Sequence, residues 1–280
     1  MRTIEVDLKK AYGTRGGVLE GALLCDLTDD AKMNEGFTRP AVIIVPGGAY
    51  WGVSRREGDS VASAFLARGF QTFTLRYLTV TAGIAYPEEL TELAASVDYV
   101  KTHAKELHVN PEEVFVVGFS AGGHLVANLA VEWQDIEAVT GKKLDCKPTA
   151  TGLSYPVITT KAGYVDTHEN LLNGYSKEEK EQLLKKLNLN EAVSDLTPPS
   201  FIWTTAEDPL VPSKNALLYA LALADRGISY ELHVYPQGGH GLSTGDREVN
   251  SLYDMPCLSR ISRWIEDCCL YFRLFVTEKF

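Results

Sequence analysis

The sequence predicts an α/β protein with a mainly parallel central sheet and helices on both faces of that sheet. Short apolar runs alternate with segments of helical periodicity along most of the 280 residues, which is typical of successive β–α units. One run, residues 41–45, is continuously aliphatic, as a strand buried on both faces should be. Hydrophobic residues make up 45% of the chain, which is enough for a packed core and excludes wholesale disorder.

The first part of the chain predicts an antiparallel pair followed by alternating strands and helices. Residues 3–8 and 18–26 are extended runs on either side of a glycine-rich turn at 13–17, so they are expected to pair antiparallel. The next elements are a helix ended by Gly69, an alternating strand, a helix that begins at Pro87, and a β-branched strand. These four elements, together with the aliphatic strand before them, are predicted at residues 41–45, 59–68, 71–77, 87–103 and 114–117.

The second part of the chain continues the alternation. A helix-compatible stretch follows the β-branched strand at once, and a later helix is ended by Gly227. Further strands are predicted at residues 149–158, 201–206 and 230–235. Helices are predicted at residues 121–132, 212–226 and 247–271.

Residues 160–195 interrupt this rhythm. They are polar, rich in Lys, Glu, Leu and Asn, and show helical periodicity near residues 176–187. They contain too few apolar residues to form a core of their own. We therefore predict a small cap-like insertion and a single domain over residues 1–280.

Charge and cysteine content restrict the partners. With 27 basic and 37 acidic residues the net charge is −10, which argues against nucleic-acid binding. No apolar run approaches the length of a membrane span, and the N-terminus lacks the apolar segment of a secretory signal. The five cysteines are odd in number and form no CxxC pair, so neither a disulfide framework nor a zinc site is expected. We expect a cytoplasmic protein without a cofactor or metal, and a homo-oligomer is compatible with the sequence.

A candidate nucleophile lies directly after the β-branched strand. The pattern G-x-S-x-G occupies Gly118, Ser120 and Gly122, between that strand and the following helix. A serine in such a tight strand-to-helix turn has strained backbone angles and presents its hydroxyl above the sheet, while small neighbours let strand and helix approach each other. A merely structural Gly-Ser turn is the alternative.

A second glycine motif, PGGAYWG, follows the aliphatic strand. Backbone N–H groups of Gly48 and Ala49, with that of Ala121 after the serine, are candidate donors to an oxyanion, since bulky side chains would obstruct the approach of a reacting carbon. An ordinary glycine-rich loop is the other interpretation. Tyr50 and Trp51 could form an aromatic platform for a substrate, or they could be packing aromatics.

A serine nucleophile needs a base, and His240 is the candidate. It lies in the loop PQGGHG at the C-terminal end of the strand 230–235, where flanking glycines allow an imidazole to reach over the sheet edge. His168 belongs to the irregular insertion and His233 to the strand itself. His124 is four residues after the serine and is expected to pack against the sheet.

The base needs an acid that orients it, and Asp208 is the candidate. It follows the strand 201–206, and Glu207 beside it is the alternative, because either carboxylate could hold an imidazole. Asp195 lies at the wrong end of that strand. Asp225 lies on the following helix and is expected to be solvated.

The chain resembles the α/β-hydrolase superfamily of serine esterases, and more closely bacterial acetylesterases and acetyl-xylan-esterase-like enzymes. The resemblance covers residues from about 40 to about 245 and rests on the motifs PGGAYWG, GFSAGGHL, WTTAEDPLVP and VYPQGGHG, in family order and spacing. Pro46 stands where the longer lipase motif HGGG has its histidine. This difference removes a side chain before the glycines and leaves the backbone donors unaffected.

The resemblance implies an α/β-hydrolase fold with Ser120 as nucleophile, Asp208 as acid and His240 as base. It also implies oxyanion donors at Gly48 or Ala49 and at Ala121. The implied reaction is ester hydrolysis through an acyl-enzyme, with acetylated xylo-oligosaccharides as the favoured substrates. A broad short-chain carboxylesterase, a peptidase and an inactive hydrolase-fold binding protein are the alternatives.

Overall fold

Eight strands within the described residues form one sheet. The computed structural model describes residues 1–24, 36–163, 166–246 and 258–277. The strands are β1 (Arg2–Asp7), β2 (Val18–Leu23), β3 (Arg39–Val45), β4 (Gln71–Arg76), β5 (Val109–Phe119), β6 (Thr151–Ser154), β7 (Ser200–Thr205) and β8 (Tyr230–Tyr235). Their order across the sheet is β1-β2-β4-β3-β5-β6-β7-β8.

Strand directions confirm the predicted fold class. β1 and β2 pair antiparallel, and β2 pairs antiparallel with β4. Every other neighbouring pair, from β4–β3 to β7–β8, is parallel. The parallel pairs are joined by helical crossovers, as the alternation of apolar and helical patterns predicts.

Helices cover both faces of the sheet. Side chains of β3 show this directly, because Ile43 and Val45 pack into the core on one face while Val42 and Ile44 pack into the core on the other. The helices are α1 (Leu8–Tyr12), α2 (Asp59–Leu66), α3 (Glu88–Thr102), α4 (Ala104–Leu107), α5 (Ala121–Glu132), α6 (Ile136–Thr140), α7 (Asp166–Leu171), α8 (Lys177–Lys186), α9 (Lys214–Asp225), α10 (Leu258–Ile261) and α11 (Trp264–Arg273). The first face carries α3, α5 and α9, and the second carries α2 and α11. No helix in the described ranges combines the length and apolar composition needed to cross a bilayer.

Some element boundaries differ from the predicted ones. The short helix α1 occupies part of the connection before the predicted turn, because the Asp7 side chain accepts a hydrogen bond from the Lys10 N–H and Gly13 ends the helix with a φ of 66°. β6 stops before Tyr155, whose φ of 36° takes the chain out of the extended region, and Pro156 follows. β5 is longer than the β-branched run from which it was predicted, since pairing with β3 extends it back to Val109.

The predicted C-terminal helix lies only partly within the described residues. Positions 247–257 lie outside them, and the rest forms α10 and α11. The cysteines of α11, Cys268 and Cys269, are free and buried. Burial raises the pKa of Cys269 to about 12. Cys25 and Cys257 lie outside the described residues.

Helix α3 carries buried carboxyl groups that make stability depend on pH. Glu89 is fully buried, and no side chain in the described ranges hydrogen-bonds to either of its carboxyl oxygens. Burial raises the pKa of Glu89 from 4.5 to about 8, and the negative charges of Glu92 and Glu88 add to the rise. The folded protein therefore holds this proton up to about pH 8, whereas the unfolded chain releases it near pH 4.5. Stability contributed at this site is complete below pH 4.5 and is lost as the pH rises through about 8.

We expect Glu89→Gln to reduce this loss, because an amide does not ionise. From pH 5 to pH 9, the free energy of unfolding of the wild type should fall by on the order of 3 kcal/mol more than that of Glu89→Gln. Urea denaturation at the two pH values measures the change. Glu181→Gln, at an exposed position of α8, is the control and should show no such improvement. Equal pH dependence of Glu89→Gln and wild type would contradict the assignment.

Candidate active site

Loops that follow four parallel strands meet at one edge of the sheet. The carboxyl ends of β3, β5, β7 and β8 lie at this edge because the strands run in the same direction. The loops after them carry the glycine motif, Ser120, Asp208 and His240, respectively. Binding sites of parallel α/β sheets are found at this edge.

Ser120 lies in a sharp turn between β5 and α5. Its φ of 53° and ψ of −116° are strained for a residue other than glycine. The turn needs glycine on both sides: a Cβ atom at Gly118 would lie 2.3 Å from the carbonyl oxygen of Gly122, and one at Gly122 would lie 2.1 Å from that of Val45. Close contact of strand and helix is therefore the physical reason for the G-x-S-x-G pattern.

The structure brings Ser120, His240 and Asp208 into one hydrogen-bonded chain. His240 Nε2 lies 2.8 Å from Ser120 Oγ, and His240 Nδ1 lies 2.7 Å from Asp208 Oδ2. The Asp208 side chain is fully buried, whereas that of His240 is 15% exposed. This is the geometry in which an imidazole can accept the serine proton while a carboxylate fixes its orientation.

Backbone contacts distinguish Asp208 from its neighbour. Its second oxygen, Oδ1, accepts hydrogen bonds from the N–H groups of Leu210 and Val211, both at 2.9 Å. These bonds fix the carboxylate plane so that Oδ2 faces His240. Glu207 is exposed and takes no part in the hydrogen bonds that link Ser120, His240 and Asp208. The geometry therefore favours Asp208 over the alternative acid.

The glycine loop offers unpaired backbone donors beside Ser120. Within the described ranges no group accepts a hydrogen bond from the N–H of Gly48, Ala49 or Ala121. Gly48 has a φ of 135°, and a Cβ atom there would lie 2.1 Å from the Gly52 carbonyl oxygen, so only glycine fits. Gly47 is different, because its N–H donates to Glu57 Oε2 at 2.8 Å. The three predicted donors therefore remain available for an oxyanion.

The two aromatic residues of this loop have different surroundings. Trp51 is 64% exposed and lines the cleft above Ser120. Tyr50 is fully buried, and its hydroxyl is 3.0 Å from His124 Nδ1. Of the two interpretations of Tyr50, the buried position agrees with a packing aromatic and not with a substrate platform, and its ring packs edge-on against Tyr77.

The remaining histidines do not take part in the serine contact. His124 is buried on α5, as expected for a packing residue, and its ring meets that of His168 edge-on at 5.0 Å. Burial lowers the pKa of His168 to about 4 and holds the pKa of His124 well below its usual range. His233 contacts Glu231 on β8 at 2.6 Å. Elsewhere in the described part of the chain, no group of three His, Cys, Asp or Glu side chains is arranged to hold a metal ion.

A cleft of about 720 Å³ lies over Ser120 and His240. Most of the residues that line it are polar or charged, although apolar atoms contribute almost as much of its surface. One wall is formed by Asp166, Glu169 and Asn170 of α7, within the predicted cap insertion. Asn170 Nδ2 also donates to the Ala49 carbonyl oxygen at 2.8 Å, so the insertion holds the glycine loop from outside.

Sequence reasoning did not predict the roles of Glu57 and Asn170. Glu57 belongs to the polar stretch SRREGD, which has the composition of a solvated surface. Asn170 lies in the insertion, where no motif marks it. A buried acid in a charged run has no periodic signal, so only the fold identifies it.

The fold and this site define the class of the protein as an α/β-hydrolase. A mainly parallel sheet, a strained serine between strand and helix, and the chain order serine–acid–histidine are its characteristics. The chain belongs to the BD-FAE family, whose model matches residues 26–223. The resemblance to α/β-hydrolase esterases inferred from the motifs is thereby confirmed.

Relatives include enzymes named for xylan and ester chemistry. Endo-1,4-beta-xylanase B of Butyrivibrio fibrisolvens is 33% identical over 223 residues, which are 78% of this chain and 35% of that protein. Acetylxylan esterase of Xylanibacter ruminicola is 29% identical over 231 residues, covering 79% of this chain and 46% of that enzyme. The chain thus spans less than half the length of either relative.

A solved structure extends the similarity over most of the chain. The crystal structure of an acetyl ester-xyloside bifunctional hydrolase from Caldicellulosiruptor lactoaceticus superimposes with a TM-score of 0.75 at 27% identity. It covers 92% of this chain and 88% of that one. Sequence and structure comparisons together support a hydrolase of the esterase type.

Proposed function

We propose that the protein is a serine-dependent carboxylic-ester hydrolase that removes small acyl groups, above all acetyl groups, from carbohydrate esters. The observation that carries the proposal is the hydrogen-bonded chain from Ser120 through His240 to Asp208 at the floor of an open cleft. Three backbone N–H groups beside the serine, for which the described residues provide no acceptor, meet the second requirement of acyl transfer.

The geometry supports a two-step reaction. Ser120 Oγ attacks the ester carbonyl carbon while His240 Nε2 accepts its proton. The oxyanion is held by the N–H groups of Gly48 or Ala49 and Ala121. As the tetrahedral intermediate collapses, His240 gives the proton to the leaving alcohol and the acyl group stays on Ser120. Water, deprotonated by His240, then attacks the acyl carbon, and the acid leaves as His240 returns the proton to Ser120 Oγ.

Polar walls and an exposed tryptophan support a carbohydrate as the alcohol part. Trp51 presents an open aromatic face at the cleft, and aromatic faces pack against the apolar faces of sugar rings. Asp166 and Asn170 on the facing wall can hydrogen-bond to hydroxyl groups. The names of the relatives point to xylan, which leads us to acetylated xylo-oligosaccharides as the proposed substrates.

Acetate release from three substrate sets tests the proposal. The sets are acetylated xylo-oligosaccharides, simple acetate esters, and esters of longer acids with the same alcohols. The proposal expects kcat/KM to be highest for the acetylated oligosaccharides. Equal kcat/KM for all acetates would favour the broad carboxylesterase, and hydrolysis of peptide amides alone would favour the peptidase.

Replacing Trp51 by alanine should separate carbohydrate esters from simple ones. We expect kcat/KM for acetylated xylo-oligosaccharides to fall about 3- to 10-fold, because one stacking contact of about 1 kcal/mol is lost. Hydrolysis of 4-nitrophenyl acetate, which has no sugar ring, should change less than twofold. Leu217→Ala, at an exposed position of α9 outside the cleft, is the control. An equal loss on both substrates would argue against a sugar contact at Trp51.

A further inference from the structure

Glu57 is a largely buried carboxylate that contributes to the lining of the serine cleft. It ends the 3-10 turn Arg55–Glu57 and is 4% exposed, although Arg55 and Arg56 in the same turn are exposed. Buried carboxylates are costly unless hydrogen bonds compensate for lost water. The partners of Glu57 are therefore informative about its role.

Each oxygen of Glu57 accepts a hydrogen bond from a different segment of the site. Oε2 accepts from the backbone N–H of Gly47 at 2.8 Å, at the start of the glycine loop. Oε1 accepts from the hydroxyl of Tyr155 at 2.7 Å, just beyond β6. The Tyr155 hydroxyl in turn accepts from the backbone N–H of Ser243 at 2.9 Å, three residues after His240. One carboxylate thus joins the loops that carry the oxyanion donors and the base.

These segments are tightly packed against the reacting groups. A Cβ atom placed on Gly47 would lie 2.9 Å from the Cβ of Ser120, so the glycine loop directly contacts the nucleophile. The Tyr155 ring packs edge-on against the His240 ring, with centroids 5.1 Å apart. Displacement of either segment would therefore be transmitted to the serine–histidine contact.

Backbone strain shows that the segments need external support. Six non-glycine residues in the described ranges have a positive φ, and five of them surround this site: Ala49, Tyr50, Ser120, Tyr155 and Ser243. Conformations of this kind persist only where surrounding contacts impose them. Glu57 and Tyr155 accept hydrogen bonds from the backbone N–H groups of Gly47 and Ser243, respectively. Gly47 lies two residues before the strained Ala49, and Ser243 is itself a strained position.

We propose that Glu57 is a positioning residue for acyl transfer, which holds the glycine loop and the histidine loop in register with Ser120. The inference rests on the proposed function. Both groups that face Glu57 are donors, so the site selects a carboxylate. A glutamine of the same shape can accept from Gly47, but its amide group then presents N–H donors to the Tyr155 hydroxyl. The buried Tyr155 O–H loses its acceptor, which weakens the link to the histidine loop.

The variant Glu57→Gln should therefore lower kcat more than it changes KM. With 4-nitrophenyl acetate we expect kcat to fall about 10- to 100-fold and KM to change less than twofold, because misplacement of donors and base affects the transition state more than ground-state binding. Tyr155→Phe should lower kcat in the same direction, and the double variant should lose less than the product of the two single losses.

Glu113→Gln is the matched control. Glu113 is likewise 3% exposed and accepts hydrogen bonds from a backbone N–H and a hydroxyl, both of Thr277, but it lies before the apolar half of β5, away from Ser120. It should lower the melting temperature without lowering kcat. If Glu57→Gln does not fold, Tyr155→Phe tests the positioning role instead, and it should likewise lower kcat while changing KM little.

The outcomes are distinguishable. Wild-type activity no higher than that of Ser120→Ala would overturn the proposed function and, with it, the role of Glu57. An active wild type with unchanged kcat in Glu57→Gln, or in Tyr155→Phe where the first variant does not fold, would overturn the positioning role alone. A kcat loss in Glu113→Gln equal to that in Glu57→Gln would also overturn it, since general destabilisation would then explain both.

Discussion

Replacing Ser120 by alanine should lower kcat for 4-nitrophenyl acetate by about 10⁵-fold or more. The Ser120 hydroxyl is the atom that His240 Nε2 contacts at 2.8 Å, and no other group in the proposed reaction can form the acyl-enzyme. Backbone donors and the cleft stay in place, so residual hydrolysis by water is expected at a low rate. Stopped assays of 4-nitrophenol release at high enzyme concentration measure this loss.

The fold should tolerate this change. Alanine has the same Cβ as serine, so the strained φ of 53° costs the variant no more than it costs the wild type. A fluorophosphonate probe should label wild type and fail to label Ser120→Ala. Ser63→Ala, at an exposed serine of α2 outside the cleft, is the control and should keep both activity and labelling. Retention of kcat within tenfold in Ser120→Ala would exclude Ser120 as nucleophile.

Asparagine at position 208 should lower kcat about 10⁴-fold. The amide oxygen can keep the hydrogen bonds from Leu210 and Val211, which places the amide nitrogen against His240 Nδ1. Two donors then face each other, and the imidazole is driven to the tautomer whose Nε2 carries a proton and cannot accept one from Ser120. KM should change little, because the cleft walls are untouched.

A comparison with Glu207→Gln tests whether Asp208 or Glu207 orients His240, which the sequence alone leaves undecided. Glu207 is exposed, and its replacement should leave kcat within about twofold of wild type. Melting temperatures of both variants report whether the loop has changed. A large kcat loss in Glu207→Gln together with a small one in Asp208→Asn would reverse the assignment of the acid.

The candidate catalytic residues could be predicted from the sequence because local constraints mark their positions. A glycine on each side of Ser120 reflects crowding between β5 and α5, and His240 and Asp208 follow strands whose parallel direction brings their ends together. Strand direction follows from the alternation of apolar runs and helices. The sequence thus predicts which loops meet, and these loops contain few alternative acids and bases.

Side-chain direction within loops was not accessible in the same way. Tyr50 and Trp51 are adjacent and chemically similar, yet one is buried and the other is exposed. In a strand or helix, the periodicity would fix the directions of the two side chains. Ala49 and Tyr50 instead adopt positive φ values, which the residue pattern does not predict. For the same reason the burial of Glu57 could not be predicted, because its carboxylate points inward although its charged neighbours Arg55 and Arg56 are exposed.

The turn that holds Ser120 and the cleft wall formed by α7 differ in how much substitution they allow. Gly118 and Gly122 admit no larger side chain, so the turn that holds Ser120 is closed to variation. Asp166 and Glu169, by contrast, are exposed on α7 and contribute to the cleft without contacting Ser120, His240 or Asp208. Substitutions at Asp166 and Glu169 are therefore expected to alter which alcohols the proposed esterase accepts, while Ser120, His240 and Asp208 stay in place.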